Sequence, residues 1–159
     1  MGHSAIEIAR KELLNAGLAQ ASSFVGCTEE EINSLERTFA LCLPRCYREF
    51  LALMGRSAGE FMEGTDYSFP GLLVFRKDAE RLLHSGQSEF RLATPAFVFA
   101  FHQGYTFLFF DSEINDPPVL MFTESAKKPT KISNSFSDWL LNAVQEDIAD
   151  YKEYRDSSH

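Results

Sequence analysis

The strongest constraint on the fold is an aromatic segment near the middle of the chain. Residues 97–101 alternate large and small apolar side chains, and a second apolar run follows at 106–110. Alternation with a period of two predicts strands, and the intervening Gln103 and Gly104 predict a two-residue hairpin turn. Both faces of this hairpin are apolar. Such a strand pair belongs inside a sheet that helices cover at least partly on both sides.

The turn also predicts how the two strands align. With a two-residue turn, Phe99 lies opposite Leu108 and Phe97 lies opposite Phe110. Two further apolar runs predict strands at residues 72–75 and 119–123, and a short strand around Lys131-Ile132 would finish the sheet. The acidic stretch between the hairpin and the 119–123 strand, residues 111–118, is predicted to be a connection.

Helix-start signals and apolar spacing predict five helices. Ser4 and Glu7 form one candidate capping box, and Thr28 and Glu31 form a stronger one. A proline in the first turn opens the third helix at Leu43-Pro44, and a glycine at its end, Gly55, is expected to adopt a left-handed conformation. A short helix is predicted at residues 77–84.

The last helix is predicted to start at Ser135, with Asp138 three residues later. Its apolar side chains recur at spacings of three and four, which is typical of a helix packed on a core. The residues on this predicted buried side are Phe136, Trp139, Leu140, Ala143, Val144, Ile148 and Tyr151. The acidic and basic side chains of residues 146–156 are interpreted as a solvent-facing continuation.

The order helix, helix, strands, helix predicts an α+β fold with a single, mostly antiparallel sheet packed against helices. Residues 1–25 are predicted to be an N-terminal helical extension, with residues 19–26 as a linker of small and polar side chains. Residues 26–159 are predicted to form one domain that includes the C-terminal helix. A chain of 159 residues is long enough to bury one core without disulfides or metal.

Three segments of the chain resemble the SUKH superfamily, and together they cover residues 26–144. The first is similar to the N-terminal helix, Leu-Pro turn and second helix of the family, the second to its central hairpin and following strand, and the third to its closing helix. The matching residues are Thr28-Glu29-Glu30-Glu31-Ile32, Leu35-Glu36, Leu41, Leu43-Pro44, Tyr47-Arg48-Glu49-Phe50-Leu51, Met54-Gly55, Phe101-His102-Gln103-Gly104-Tyr105, Phe109-Phe110-Asp111, Pro117-Pro118-Val119 and Ser135-Phe136-Ser137-Asp138-Trp139-Leu140.

This resemblance implies a SUKH-like fold and a function in binding. The superfamily includes bacterial immunity proteins paired with secreted toxins and fungal regulators of cell-wall assembly, and no shared catalytic activity is known for it. The chain is therefore expected to be a non-enzymatic immunity protein that neutralises a cognate toxin, with a basic nuclease as one candidate. A regulatory interaction scaffold is the alternative. The resemblance implies no cofactor.

Charge and cysteine content restrict the partner and the compartment. With 15 basic and 23 acidic side chains, the formal charge of −8 disfavours nucleic acid and favours a basic protein. Solubility alone would also explain the excess of acid. The apolar runs are too short to span a membrane. Three cysteines, an odd number, in a chain without an N-terminal signal pattern predict a reducing cytoplasm. A monomer or weak dimer is expected.

Two acidic loops and the hairpin turn supply the candidate partner-binding residues. The first loop carries Glu60, Glu63 and Asp66, the second carries Asp111, Glu113 and Asp116, and the turn carries His102 and Tyr105. If the two loops merge into one acidic rim, they would steer a basic partner to the molecule. Ordinary solvated loops are the competing interpretation, to which we give equal weight.

Two patterns of catalytic or metal-binding type are also present. Gly55-Arg56-Ser57-Ala58-Gly59 spells G-x-S-x-G, and Asp111 and His159 follow in the order found in hydrolases. A nucleophile elbow requires a strand before the serine, whereas a helix is predicted there. Cys42, Cys46, His84 and His102 offer zinc-ligand types, but Cys42 and Cys46 flank the Leu-Pro turn, where small apolar side chains are expected to pack. We therefore predict no catalytic residue and no metal site.

Overall fold

A computed structural model describes residues 4–157 and has an α+β architecture, which confirms the predicted class. Strands β3 to β7 form an antiparallel sheet in the order β3-β4-β5-β6-β7, and β1 pairs with β2 in a separate two-stranded sheet. The helices are α1 (Ala5–Ala16), α2 (Glu29–Phe39), α3 (Arg45–Met54), α4 (Phe75–Ser85) and α5 (Phe136–Ser157). The strands are β1 (Phe24–Val25), β2 (Ser57–Ala58), β3 (Thr65–Asp66), β4 (Phe97–His102), β5 (Thr106–Phe110), β6 (Val119–Thr123) and β7 (Thr130–Ser133).

Helix α1 begins at the predicted cap, where the Glu7 backbone N–H donates to Ser4 Oγ at 3.2 Å. Its apolar stripe is fully buried and packs against α3 and α5. The expected linker at residues 19–26 is wrong in part, because Ala21–Ser23 forms a 3₁₀ turn and β1 pairs with β2. The predicted domain boundary after residue 25 stays a prediction, although α1 contributes side chains to the common core.

Both predicted features at the start of α2 and α3 are confirmed. Thr28 and Glu31 form a reciprocal capping box, with N···O distances of 2.9 and 3.2 Å. Pro44 occupies the N-cap of α3, one position before the first helical residue. The buried face of α3 is the predicted one, consisting of Tyr47, Phe50, Leu51 and Met54. Local sequence is sufficient here because capping and proline geometry act within one turn.

The conformation predicted for Gly55 is wrong, although α3 does end at Met54. Gly55 has φ −69° and ψ −17°, which is right-handed. Close packing requires the glycine instead, because a Cβ at this position would lie 2.6 Å from Cys27 Sγ and 2.7 Å from the Leu51 carbonyl oxygen. The residue is therefore selected by its neighbours and not by its backbone dihedrals.

Residues 72–75 do not form the predicted strand. Gly71–Leu73 is a 3₁₀ turn, and α4 begins at Phe75, which extends the predicted 77–84 helix at both ends. Leu72 and Phe75 are buried whereas Val74 is 51% exposed. A spacing of three between buried side chains fits a helical turn, whereas a strand would bury alternate residues.

The aromatic hairpin forms, but its turn contains three residues, and a β-bulge corrects the difference. His102 pairs with Thr106 and Ala100 with Leu108, so the predicted pairing of Phe99 with Leu108 is wrong. The bulge between Val98 and Ala100 absorbs one residue of β4. Beyond it Phe97 lies opposite Phe110, as predicted.

The bulge also decides which helix each phenylalanine of β4 meets. Phe97 and Phe99 lie 5.5 and 5.9 Å from the Tyr47 ring of α3, between ring centroids. Phe101 points to the other face, where it meets Phe75 of α4 at 6.2 Å. The sheet is thus covered by α3 and α5 on one face and by α4 on the other, as both apolar faces of the hairpin predict.

Helix α5 starts as predicted, with the Asp138 N–H donating to Ser135 Oγ at 3.0 Å. Trp139 is buried against the sheet, and its ring lies 5.0 Å from that of Phe99. No helix within residues 4–157 is long and apolar enough to cross a lipid bilayer.

Candidate partner-binding site

The predicted rim of merged acidic loops does not form. Asp66 on β3 pairs with Phe101, whereas Asp111 directly follows Phe110, the partner of Phe97. Four residues of a strand span about 13 Å. The two acidic loops therefore lie at opposite ends of the β4–β5 hairpin and present separate surfaces.

At the first end, β3 sits beside the hairpin turn. The Thr65 hydroxyl is hydrogen-bonded to His102 Nδ1 at 2.8 Å, and the His102 and Tyr105 rings meet edge to face at 5.9 Å. Tyr105 is 40% exposed, and Asp66 is also exposed. Three of the candidate residues, Asp66, His102 and Tyr105, therefore share one end of the sheet.

At the opposite end of the hairpin, two of the three candidate residues, Glu113 and Asp116, accept hydrogen bonds from the protein backbone. Glu113 Oε1 accepts a hydrogen bond from the Cys42 N–H at 3.1 Å. Asp116 Oδ1 accepts one from the Ser137 N–H at 2.9 Å and one from Cys46 Sγ at 3.3 Å. Asp116 thus joins the starts of α3 and α5, and no such contact was predicted from the sequence.

Glu60 and Glu63 come together with residues of α5 that the sequence analysis did not select. They line a groove of about 440 Å³, which we call the α5 groove. Its complete lining is Leu18, Glu60, Glu63, Asp147, Asp150, Tyr151 and Tyr154. The four residues from α5 are spaced at i, i+3, i+4 and i+7 and therefore form one stripe along the helix.

Two hydrogen bonds from the backbone and a close approach at Gly59 fix the walls of the α5 groove. The Met62 N–H donates to Asp147 Oδ2 at 2.7 Å, and the Glu60 N–H donates to the Leu18 carbonyl at 2.9 Å. Gly59 has φ +64°, and a Cβ there would lie 2.6 Å from the Leu18 oxygen, so the close approach requires glycine. The loop bearing Glu60 and Glu63 is consequently anchored to α5 and to Leu18, two residues after the end of α1.

The carboxylates of the α5 groove have no cationic partner within residues 4–157, since none of them takes part in an ion pair there. Burial raises the pKa of Asp147, and the nearby Asp150 and Glu146 raise it further, while the Met62 N–H acts in the opposite direction. The Arg155 guanidinium lies 5.7 Å from the centre of the Tyr151 ring. The groove therefore combines unneutralised negative charge with aromatic surface.

A second acidic region, at the start of α2, is built differently. Arg48 pairs with Glu29 at 2.8 Å and with Glu36 at 2.7 Å. Glu30 pairs with Arg37 at 2.7 Å, and Glu31 pairs with Arg56. We call Glu29, Glu30, Glu31 and Glu36 the paired acidic cluster.

The paired acidic cluster serves the fold. Glu36 Oε2 also accepts the Leu43 N–H at 2.7 Å, which fixes the Leu-Pro turn between α2 and α3. The hydrogen bond from Arg56, followed by that from the Thr28 N–H, lowers the pKa of Glu31 to about 2. These contacts account for several residues that carry the family resemblance.

The G-x-S-x-G pattern has a structural explanation. Ser57 lies on β2 opposite Val25 and follows helix α3, so no strand leads into a nucleophile elbow. Gly55 and Gly59 are required by close packing. His159, the third member of the hydrolase pattern, lies outside the described residues.

The cysteine and histidine residues do not assemble. In the described part of the chain, no group of three or more potential metal ligands is present. Cys42 is exposed, which corrects the expectation that it packs beside the Leu-Pro turn, and Cys46 is half-buried. Burial raises the pKa of the Cys27 thiol to about 11 and also raises the pKa of Cys46, which disfavours the reactive thiolate.

Comparison with known proteins identifies a family. The model of the SMI1 / KNR4 family (SUKH-1) matches residues 26–142, which is most of the chain. No curated protein gives a significant sequence match.

Proposed function

Because the chain belongs to the SMI1 / KNR4 family (SUKH-1), we propose that it is an immunity protein that neutralises a cognate toxin by binding it. The family supports an immunity or regulatory role that is exerted through protein interaction, and its members are generally non-catalytic. A toxin with a basic surface, such as a nuclease domain, is the proposed partner.

The observation that carries this proposal is the unneutralised charge of the α5 groove. A carboxylate that pairs with an arginine of its own chain contributes little to an external partner, whereas an unpaired one attracts cations from solution. The groove carboxylates are of the second kind, and the net charge of −8 extends the same field over the molecule. Complementary charge increases association rates and discriminates against wrong partners.

The proposed interface joins the α5 groove to the end of the hairpin beside it. Glu60 and Glu63 belong to the groove, and Asp66, His102 and Tyr105 extend the surface along β3 and the turn. We retain Asp111, Glu113 and Asp116 as predicted contacts at the other end of the sheet. They are weaker candidates because Glu113 and Asp116 already accept hydrogen bonds from the protein backbone.

We propose that the protein works in the cytoplasm as a monomer or weak dimer and without a cofactor. Cys27, Cys42 and Cys46 are all free thiols, which suits a reducing compartment. An inhibitor that acts by covering a toxin requires neither catalysis nor a metal.

The decisive experiment asks whether a gene beside this one encodes a toxin domain and, where it does, pairs that domain with the chain. Co-expression of the chain should restore growth of cells that produce the toxin. In stopped-flow mixing, Glu63→Lys with Asp66→Lys should slow association by about tenfold and flatten its salt dependence, since rim charges act mainly on the on-rate. The matched control is Glu89→Lys with Asp138→Lys, two exposed carboxylates outside the groove and the hairpin tip, which should retain most of the association rate.

A regulatory interaction scaffold is the second candidate, because the same family covers both roles. An adjacent toxin whose lethality the chain does not relieve would contradict the immunity function and favour the scaffold. Equal rate losses in the Glu63/Asp66 and Glu89/Asp138 variants would show that total charge, and not this interface, governs association.

A further inference from the structure

We propose that the α5 groove is a docking site for an arginine side chain of the partner, with the guanidinium between the rim carboxylates and the aliphatic stem on the tyrosines. This inference rests on the proposed function, because it assumes a basic protein partner. It specifies which type of side chain the partner inserts. It also adds residues of α5 that neither the family match nor the sequence analysis assigns.

The apolar part of the groove suits a long side chain. Leu18 is buried at its base, and Tyr151 and Tyr154 form the wall on α5. Arginine and lysine both carry methylene stems that lie along such surfaces. Only the guanidinium of arginine is planar and weakly hydrated, so it stacks on an aromatic face at a smaller cost in desolvation.

The charges at the rim suit a group with several donors. Glu63 and Asp150 are exposed on opposite walls, one on the loop and one on α5. Asp147 also lines the groove and is fixed there by the Met62 N–H. A guanidinium presents five N–H donors in a rigid fork and can bond two carboxylates at once, whereas an ammonium acts as a point charge.

The chain itself shows that its rings accept guanidinium groups. Arg155 lies against Tyr151 of the groove, and Arg56 lies 5.0 Å from the centre of the Phe69 ring. Tyr151 and Arg155 are four residues apart on α5, so their contact is local to the helix and shows that this ring accommodates a guanidinium. Charge complementarity and ring stacking therefore both favour arginine as the side chain that the groove binds.

The test is fluorescence anisotropy of the full chain with three labelled peptides. They share a Gly-Ser background and carry three arginines, three lysines or three citrullines, citrulline being the neutral analogue of arginine. We expect the arginine peptide to bind about fivefold more tightly than the lysine peptide. The citrulline peptide should show no saturable binding, because it lacks the charge.

Matched variants separate the groove from the overall charge. Glu63→Gln with Asp150→Asn should weaken binding of the arginine peptide by about tenfold. Glu89→Gln with Asp138→Asn removes the same charge outside the interface and should change it by less than about twofold. Tyr151→Leu keeps every carboxylate and should reduce the affinity for arginine to that for lysine. Melting curves verify that each variant is folded.

Two results would overturn the docking site. One is equal binding of the arginine and lysine peptides to the parent chain, and the other is an equal loss of affinity in the groove and control variants. Its failure is distinguishable from failure of the proposed function. If the Glu63→Gln with Asp150→Asn variant still protects against the toxin and binds the arginine peptide as tightly as the parent chain does, the docking site is wrong and the immunity function stands. If the arginine peptide binds through the groove but the chain protects against no toxin, the docking site stands and the immunity function is wrong.

Discussion

The paired acidic cluster and the α5 groove contain the same type of side chain in opposite electrostatic settings. In the cluster, arginines of the chain itself neutralise the glutamates and lock α2 to α3 and to the residues after α3. In the groove, the carboxylates meet one another and two tyrosines. A run of acidic residues in the sequence therefore does not by itself indicate a binding site. What distinguishes acids that stabilise the fold from acids available to a partner is whether an arginine of the same chain lies beside them.

The largest expected effect tests the support of the groove. Trp139 anchors α5 against Phe99, and Trp139→Ala should reduce the free energy of unfolding by about 3–5 kcal/mol through a cavity in the core. Urea denaturation measures the change, and Lys152→Ala on the exposed side of α5 is the control. A loss below about 1 kcal/mol would mean that the groove does not depend on a packed helix.

The next effect compares one acid from each region. Glu36→Ala should reduce the free energy of unfolding by about 2 kcal/mol, because it breaks an ion pair and leaves the Leu43 N–H without its acceptor. Glu63→Ala should change it by less than about 0.5 kcal/mol, because its carboxylate is solvated. Similar losses in both variants would erase the distinction between structural and available acids.

An unpaired polar group in the core provides a further contrast. The Tyr47 hydroxyl is buried and has no hydrogen-bond partner in the described structure, whereas an unpaired carboxylate at the surface keeps its water. Tyr47→Phe should therefore increase the free energy of unfolding by about 1 kcal/mol. Chemical denaturation checks this value. Destabilisation would instead reveal a buried partner, such as a water molecule, for the hydroxyl.

The smallest effect is a difference in pH dependence. The pKa of Glu31 is lowered from 4.5 to about 2, so its stabilising contribution is present above pH 4.5 and is lost as the pH falls toward 2. The pKa of Asp147 is raised above 3.8 in the folded protein. As the pH rises from below 3.8, the unfolded chain therefore loses this proton before the folded protein does, and the free energy of unfolding falls until the folded carboxyl has also ionised.

Melting temperatures of neutral variants measure this difference in sign. Glu31→Gln should lower the melting temperature at pH 7, with the gap narrowing toward pH 2. Asp147→Asn keeps an acceptor for the Met62 N–H and should raise the melting temperature at pH 7, with the gap closing near pH 3. The same sign for both variants at pH 7 would contradict the assigned environments.

The sequence predicts features that depend on neighbours within one helical turn. The Thr28–Glu31 capping box and the end of α3 at Met54 are examples, as is the buried face of α5 except for Ala143 and Tyr151, which are only partly buried. The hairpin was predictable as an element but not in its register near the turn. A three-residue turn with a bulge and a two-residue turn without one give the same pairing of Phe97 with Phe110.

The α5 groove could not be predicted in this way. Met62 and Asp147, whose hydrogen bond closes it, are 85 residues apart. The stripe of Asp147, Asp150, Tyr151 and Tyr154 is visible in the sequence, but nothing in its spacing indicates which loop lies against it. Conversely, Glu113 and Asp116 have the composition of a solvated loop, and only the tertiary structure reveals the backbone amides that they bind.

The bulge at Phe99 reconciles a three-residue tip of the hairpin with the pairing of Phe97 and Phe110. Without it, the extra residue at the turn would shift the register by one and place the phenylalanines of one strand on the wrong face of the sheet. The bulge confines the mismatch to the residues between the turn and Phe97. Gain or loss of the turn residue together with the bulge would therefore give the surface beside the proposed interface a second shape on an unchanged core.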